Sequence, residues 1–291
     1  MAPLDLRQSC SALHRALSTS TLGTAPQKTA YLVVEHRKPW PAKPKKAELP
    51  GAVRAALKAG PEKLSLMLTP PQDERGLRGR IYIWRPRHGL YREFPLEQIE
   101  QVVAQFPRGF APASPTLMVC THGSRDACCG RLGFPLFRAC RESLPEWKVL
   151  ECSHLGGHRM APTCFSIPEW RFYGRVDRPE ELVQVLRTGK PHLAIYRGSG
   201  LLPEPAQVVE GRVWEHLGRP PLQVQLLDWD SRRGAHRIRL EADGVCYLAR
   251  VRELRVEAPA SCSDVPEGKV KTVEDYRLES FGQEGSVGQT A

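Results

Sequence analysis

Two short apolar runs in the middle of the chain each end in a cluster of soft metal ligands. The first, Leu117-Met-Val, leads into Cys120, His122, Cys128 and Cys129; the second, Lys148-Val-Leu-Glu-Cys152, leads into His154 and His158. Each run reads as a strand and each cluster as part of the loop that follows it. Parallel strands of one sheet carry the loops at their C-terminal ends to the same edge. That edge could hold two thiolates and two imidazoles around one centre. Such a donor set suits either tetrahedral zinc or a 2Fe-2S cluster with Cys on one iron and His on the other. His154-Leu-Gly-Gly-His158 sets two imidazoles either side of a glycine pair, which argues for a close-approach loop and against a helix. The eight residues between Cys120 and Cys129 exceed the spacing of a zinc knuckle and suit a loop wrapped around something larger than one ion.

The stretch CTHGSRDACCGRLG (120–133) followed by SHLGGHRMAPT (153–163) resembles the sucrase/ferredoxin-like family. Its pattern, Cys-x-His-Gly-x-Arg-Asp-x-x-Cys-Gly and then His-x-Gly-Gly-His, is filled by Cys120, His122, Gly123, Arg125, Asp126, Cys129, Gly130, His154, Gly156, Gly157 and His158. Tyr196-Arg197-Gly198 and Ser261-Cys262 match its later part. The resemblance implies a thioredoxin-like ferredoxin domain and a 2Fe-2S cluster held by Cys120, Cys129, His154 and His158. Cys128 stands where fungal members often have Arg, and Gly130 after Cys129 favours Cys129 as the ligand. His122 is the alternative imidazole. Asp126 is expected to accept from an imidazole or backbone amides, and Arg125 to contact a partner, offset cluster charge or pair with Asp126.

With 291 residues, 41% hydrophobic and 25% charged, the chain has the composition of a soluble protein of two or three domains. It carries no apolar run long enough to span a membrane and no signal-peptide core, so a cytoplasmic protein is expected. Nine cysteines, six of them between 120 and 164, suggest metal or redox chemistry rather than a disulfide framework. Cys10, Cys140, Cys164 and Cys246 read as small core residues. The net charge of +10 is concentrated: residues 1–110 hold 18 Lys/Arg against 9 Asp/Glu, and the rest holds 24 against 23. A basic first third attracts anionic partners. An acidic redox partner docking there is preferred over nucleic acid, with a merely solvated face as the alternative, and Arg75, Arg78 and Arg80 are the residues to test.

The elements that would position these ligands occur twice. Strand 30–35, helix 51–59, strand 63–68, a hairpin of 81–84 with 90–94 and helix 96–106 are followed by strand 116–119, a helix from about 130 to 143, strand 147–152, a hairpin of 163–167 with 171–176 and helix 179–187. This predicts an α/β fold of two thioredoxin-like βαβ-ββα halves in tandem, the second carrying the cluster, plus a C-terminal helix and antiparallel strands. The predicted domains are 1–110, a cluster-free basic half; 111–198, the ferredoxin domain; and 199–291. Before them, a helix over 5–18 is expected with Leu6, Cys10, Leu13 and Leu17 on one face, and 39–50 reads as an irregular Pro/Lys-rich excursion. In the last segment a helix is predicted over 203–217 and strands over 222–228, 236–241 and 245–251, with residues from about Gln283 frayed. Pro162, just before a strand, is a candidate for the cis form.

The expected function is electron transfer through a 2Fe-2S cluster, with an unidentified redox partner and with electron and proton uptake coupled at the imidazoles. The alternative is a structural zinc protein using the same four residues, or a thiol-disulfide oxidoreductase, which lacks the usual Cys-x-x-Cys. No phosphate loop, nucleophile elbow or dinucleotide fingerprint is present, so a carrier or reductase component is expected rather than an enzyme with its own substrate.

Overall fold

The structure, a computed structural model, describes residues 8–60, 63–74, 76–85 and 88–284. It is a mixed α/β fold. In chain order come α1 (Cys10–Ala16), β1 (Ala30–Glu35), α2 (Gly51–Ala59), β2 (Ser65–Thr69), β3 (Arg78–Arg85), β4 (His88–Pro95), α3 (Ile99–Ala104) and β5 (Ala111–Pro112). Then follow β6 (Thr116–Cys120), α4 (Ala127–Ser143), β7 (Lys148–Cys152), β8 (Thr163–Ile167), β9 (Arg171–Gly174), α5 (Pro179–Thr188) and β10 (Tyr196–Ser199). The chain continues through α6 (Glu204–Leu217), β11 (Val224–Arg232), β12 (Ala235–Ala242), β13 (Val245–Ala258) and β14 (Lys271–Gln283). Contacts divide the chain into two compact units, Lys28–Trp170 and the combination of Met1–Gln27 with Arg171–Ala291.

In the unit 28–170, β1 is parallel to β2 and antiparallel to β3, which pairs onward with β4 and then β5. All six residues of β1 are buried, as expected of a near-continuous apolar strand covered on both faces. Leu32, Val34, Leu68, Ile81, Val53 and Ile99 belong to one core with Trp40. The pairing recurs at β6, which is parallel to β7 and antiparallel to β8. The two sets meet just past β7: Ser153 N–H donates to Leu68 O (2.7 Å), and Leu68 N–H to Ser153 Oγ (2.9 Å). Tyr31, Phe165 and Trp170 add ring contacts with centroids 5.2–6.1 Å apart. This join places the ends of β1 and β6 in one unit, which matters for the site.

In the other unit, β11 to β14 form an antiparallel sheet in sequence order. Along β12, His236, Ile238, Leu240 and Ala242 are buried and alternate with more exposed residues, the period-2 pattern of a sheet with one covered face. Val208, Val209 and Val213 of α6 pack with Ile238, Leu240, Tyr247 and Val251. Residues before 28 are stitched to this unit: Ser20 N–H donates to Asp275 Oδ1 (2.5 Å) and Gly23 N–H to Arg197 O (3.0 Å).

Several expectations change. Helix α4 begins at Ala127, not near 130, because Asp126 caps it with its carboxylate on Cys128 N–H (3.3 Å). Cys128 and Cys129 therefore lie in its first turn rather than in a loop. The buried residues of α1 are Cys10, Ser11 and His14, while Leu17 is 47% exposed; Leu6 lies outside the described residues. The Pro/Lys-rich run contributes Trp40 and Ala47 to the core and a short 3-10 turn at Pro44–Lys46. Strand β14 was not predicted, and it includes Gln283. The expectation for Pro162 holds: Ala161–Pro162 is cis.

Candidate metal centre

Cys120 is the last residue of β6 and stands in register with Cys152, the last of β7. After it the chain turns through Thr121 to Asp126 into α4. The helix passes so close to this turn that a Cβ on Gly133 would lie 1.9 Å from Cys120 O, and one on Gly130 would lie 2.7 Å from Gly123 Cα. Glycine at these positions lets the first turn of α4 slide over the end of β6, which carries Cys129 toward Cys120. On the other side, Gly156 and Gly157 adopt φ of +86° and +67°. These left-handed values turn the chain after His154, where a side chain with Cβ would be strained.

The result is a group of three donors, the two sulfurs buried and His154 partly exposed. One ligand atom each from Cys120, Cys129 and His154 lies within 4.8 Å of the others. Cys129 Sγ is 3.9 Å from His154 Nδ1. The Cys120 thiol is held well below its ordinary value, first by its hydrogen bond with Cys129 and then, against the cost of burial, by His154. Cys129 is correspondingly pushed up by Cys120. The hydrogen bond between the two sulfurs thus favours loss of one proton from the pair. A buried pair of thiols beside an imidazole is a soft-donor environment, and its chemistry fits a metal or an iron–sulfur group.

His158 is not among the three converging donors. Its ring centroid is 5.3 Å from that of His154, and its Nδ1 lies 3.1 Å from Asp126 Oδ2. Asp126, 5% exposed, thus contacts an imidazole and caps α4 with one carboxylate. Cys128 Sγ points toward Asp126 Oδ1 (3.0 Å) and His158 O (3.3 Å). Arg125 is exposed. Cys152 is fully buried, and burial together with Cys120 and Cys164 keeps it a neutral thiol.

His122 supports the site from behind. Its Nδ1 accepts the backbone N–H of His154 (3.1 Å), so its proton resides on Nε2, which lies 3.1 Å from Pro41 O. Burial lowers its pKa, favouring this neutral form. Trp40 packs edge-on against it, with centroids 5.6 Å apart, and Ser124 Oγ donates to Trp40 O. Trp40 and Pro41 are contributors that the sequence reading missed; an isolated Trp inside a Pro/Lys-rich run was the available signal. The Arg75, Arg78 and Arg80 docking idea also changes. Arg80 is 1% exposed and bonded to Glu35 and Glu93, Arg78 is bonded to Glu93 (2.6 Å), and Arg75 lies outside the described residues. Among the described residues no helix is long and apolar enough to cross a membrane.

Comparison with curated proteins returns no match, and comparison with solved structures returns none. Comparison with protein families matches residues 21–198 to the sucrase/ferredoxin-like family. That span is more than half of the chain and contains every residue of the centre described above, so the chain belongs to the sucrase/ferredoxin-like family.

Proposed function

We propose that this protein is an electron-transfer protein whose 2Fe-2S cluster is held by Cys120 and Cys129 on one iron and by His154 and His158 on the other. The observation that carries the reading is the convergence of Cys120, Cys129 and His154, whose ligand atoms lie within 4.8 Å of one another. When bound, the cluster supplies a one-electron redox couple. The chain's residues do the rest. Binding requires both Cys120 and Cys129 to be deprotonated. Asp126 holds the Nδ1 proton of His158 and orients the ring, so its bond to iron would come from Nε2. His122 fixes the His154 backbone. Replacing two thiolates by neutral imidazoles raises the potential relative to an all-Cys cluster. With the cluster bound, the imidazoles of His154 and His158 would be the places to take up a proton on reduction, and the potential would then fall as pH rises. A pH-independent potential in a cluster with His ligands would remove that coupling.

The repeated pairing around β1 and β6 supports two thioredoxin-like halves, a cluster-free one over 1–110 and a ferredoxin domain over 111–198, with 199–291 as a third segment. The protein would act in the cytoplasm as a carrier or reductase component for an acidic redox partner that uses the basic first third. A zinc site on the same residues is the second reading, since the three converging donors would also suit one tetrahedral ion.

Absorption and electron paramagnetic resonance spectra of anaerobically purified protein, with iron, sulfide and zinc assayed on the same sample, decide between them. Two irons and two sulfides per chain, with a rhombic signal of low average g on reduction, support the cluster. A colourless protein with one zinc replaces it with the structural reading.

A further inference from the structure

We propose that Cys10 and Cys262, neither of which is among the proposed cluster ligands, form a reversible disulfide. Their sulfurs lie 3.7 Å apart although 252 residues separate them in the chain. Both belong to the unit built from Met1–Gln27 and Arg171–Ala291, and they are 0% and 6% exposed.

The surrounding contacts hold the two sulfurs together. Cys10 is the first residue of α1, and Ser9 Oγ caps that helix by accepting Ala12 N–H (3.2 Å). One turn along the same face, buried His14 places Nε2 3.2 Å from Pro259 O. Pro259 opens the irregular segment between β13 and β14 that carries Cys262. Arg277 of β14 donates to Ser18 O (2.6 Å), a second anchor just past α1. Reaching a bonded S–S length of about 2.05 Å needs the sulfurs to close by less than about 2 Å, a movement that two small side-chain rotations can share. Cys262 lies in turns rather than in a strand, and such segments open locally at lower cost than strands. It is therefore the entering thiol.

The oxidant is a low-molecular-weight disulfide of the glutathione class. The Cys262 thiolate attacks one of its sulfurs, which breaks the small disulfide, forms a mixed disulfide and releases one thiolate. The Cys10 thiolate then attacks the Cys262 sulfur and expels the second. Two protein thiols lose two electrons, one small disulfide becomes two thiols, and the two protons given up by Cys10 and Cys262 pass to the released thiolates. The covalent loop so closed contains all of residues 28–170. Constraining so long a loop stabilises the fold mainly through the unfolded chain.

The test is peptide mapping under non-reducing conditions. Full-length protein is equilibrated with glutathione disulfide and then blocked with N-ethylmaleimide, with Tm measured alongside. The expected product is a linked pair of peptides carrying Cys10 and Cys262, cleaved by dithiothreitol, with Tm several degrees above that of the reduced protein. Cys10→Ser should leave Cys262 carrying one glutathione, and Cys262→Ser should leave Cys10 unmodified. If either variant fails to fold, the wild-type map still decides. Recovery of both residues as blocked thiols overturns the proposal. So does linkage of either to another cysteine, or their protection by a metal that persists when Cys120 and Cys129 are both replaced by Ser.

Discussion

The ends of β1 and β6 are built alike and filled differently. Each is the last residue of a central strand flanked by one parallel and one antiparallel neighbour. At β1 that residue is Glu35, 1% exposed, with its Oε1 2.8 Å from Arg80 Nη2 and its Oε2 accepting Arg78 N–H (3.2 Å). At β6 it is Cys120, with Cys129 and His154 beside it. The first buries a carboxylate, and the second buries a thiol that Cys129 and His154 hold below its ordinary pKa. The first carries its own cation, whereas the second meets a thiol and an imidazole. A buried negative charge is expensive unless it is paired or coordinates a metal. The β1 end is therefore self-sufficient, whereas the donors at the β6 end could hold a metal ion.

The largest expected break in this contrast is at the ligands. Cys120→Ser should abolish metal loading, a greater loss than the roughly 10–100-fold typical of an outer-shell change, while Glu35→Gln should leave loading intact; metal content per chain measures both. Next comes the β1 pair. Arg80→Ala removes the partner of buried Glu35 and should cost about 3–5 kcal/mol, read by urea denaturation. Gly133→Ala then pushes a methyl into Cys120 O and should cost about 1–3 kcal/mol, while also weakening metal retention because α4 must back away from Cys120. An equal fall in stability with unchanged metal content would show that the close approach serves packing alone.

The smallest effect is a pH dependence confined to the β1 side. Burial works against the Glu93 carboxylate, but hydrogen bonds from Tyr91, Arg80 and Lys148 outweigh it and hold its pKa below the ordinary 4.5. Its contribution to stability is present above that value and is lost progressively as pH falls below it. Glu93→Gln should therefore lower stability at neutral pH and flatten the acid limb of a stability–pH curve.

Much of this was legible from local pattern. The apolar run 30–35 and the alternation along 236–241 each name their element. The ligand types and the glycine pair at 156–157 pointed to the loop that presents His154. What escaped depended on distant contacts. The start of α4 was placed near 130, past its capping residue Asp126. The Arg75–Arg80 run read as surface because nothing local reveals that Glu35 and Glu93 draw Arg80 inward. Strand β14, rich in Asp, Glu and Lys, is held by its register with β13 more than by apolar alternation. The pairing of α1 with residues beyond 171 has no sequence signal, since it joins segments 250 residues apart.

That last feature bears on the order of events during synthesis. Residues 28–170 are contiguous, so every ligand of the metal centre has emerged once residue 170 clears the ribosome, and domains generally fold as units while the chain grows. The other unit is discontinuous. Ser20 must wait for Asp275, 255 residues later, to receive its hydrogen bond. The unit that carries the candidate metal centre is therefore complete while the N-terminal segment is still unpaired, and the unit that needs both ends of the chain closes afterwards.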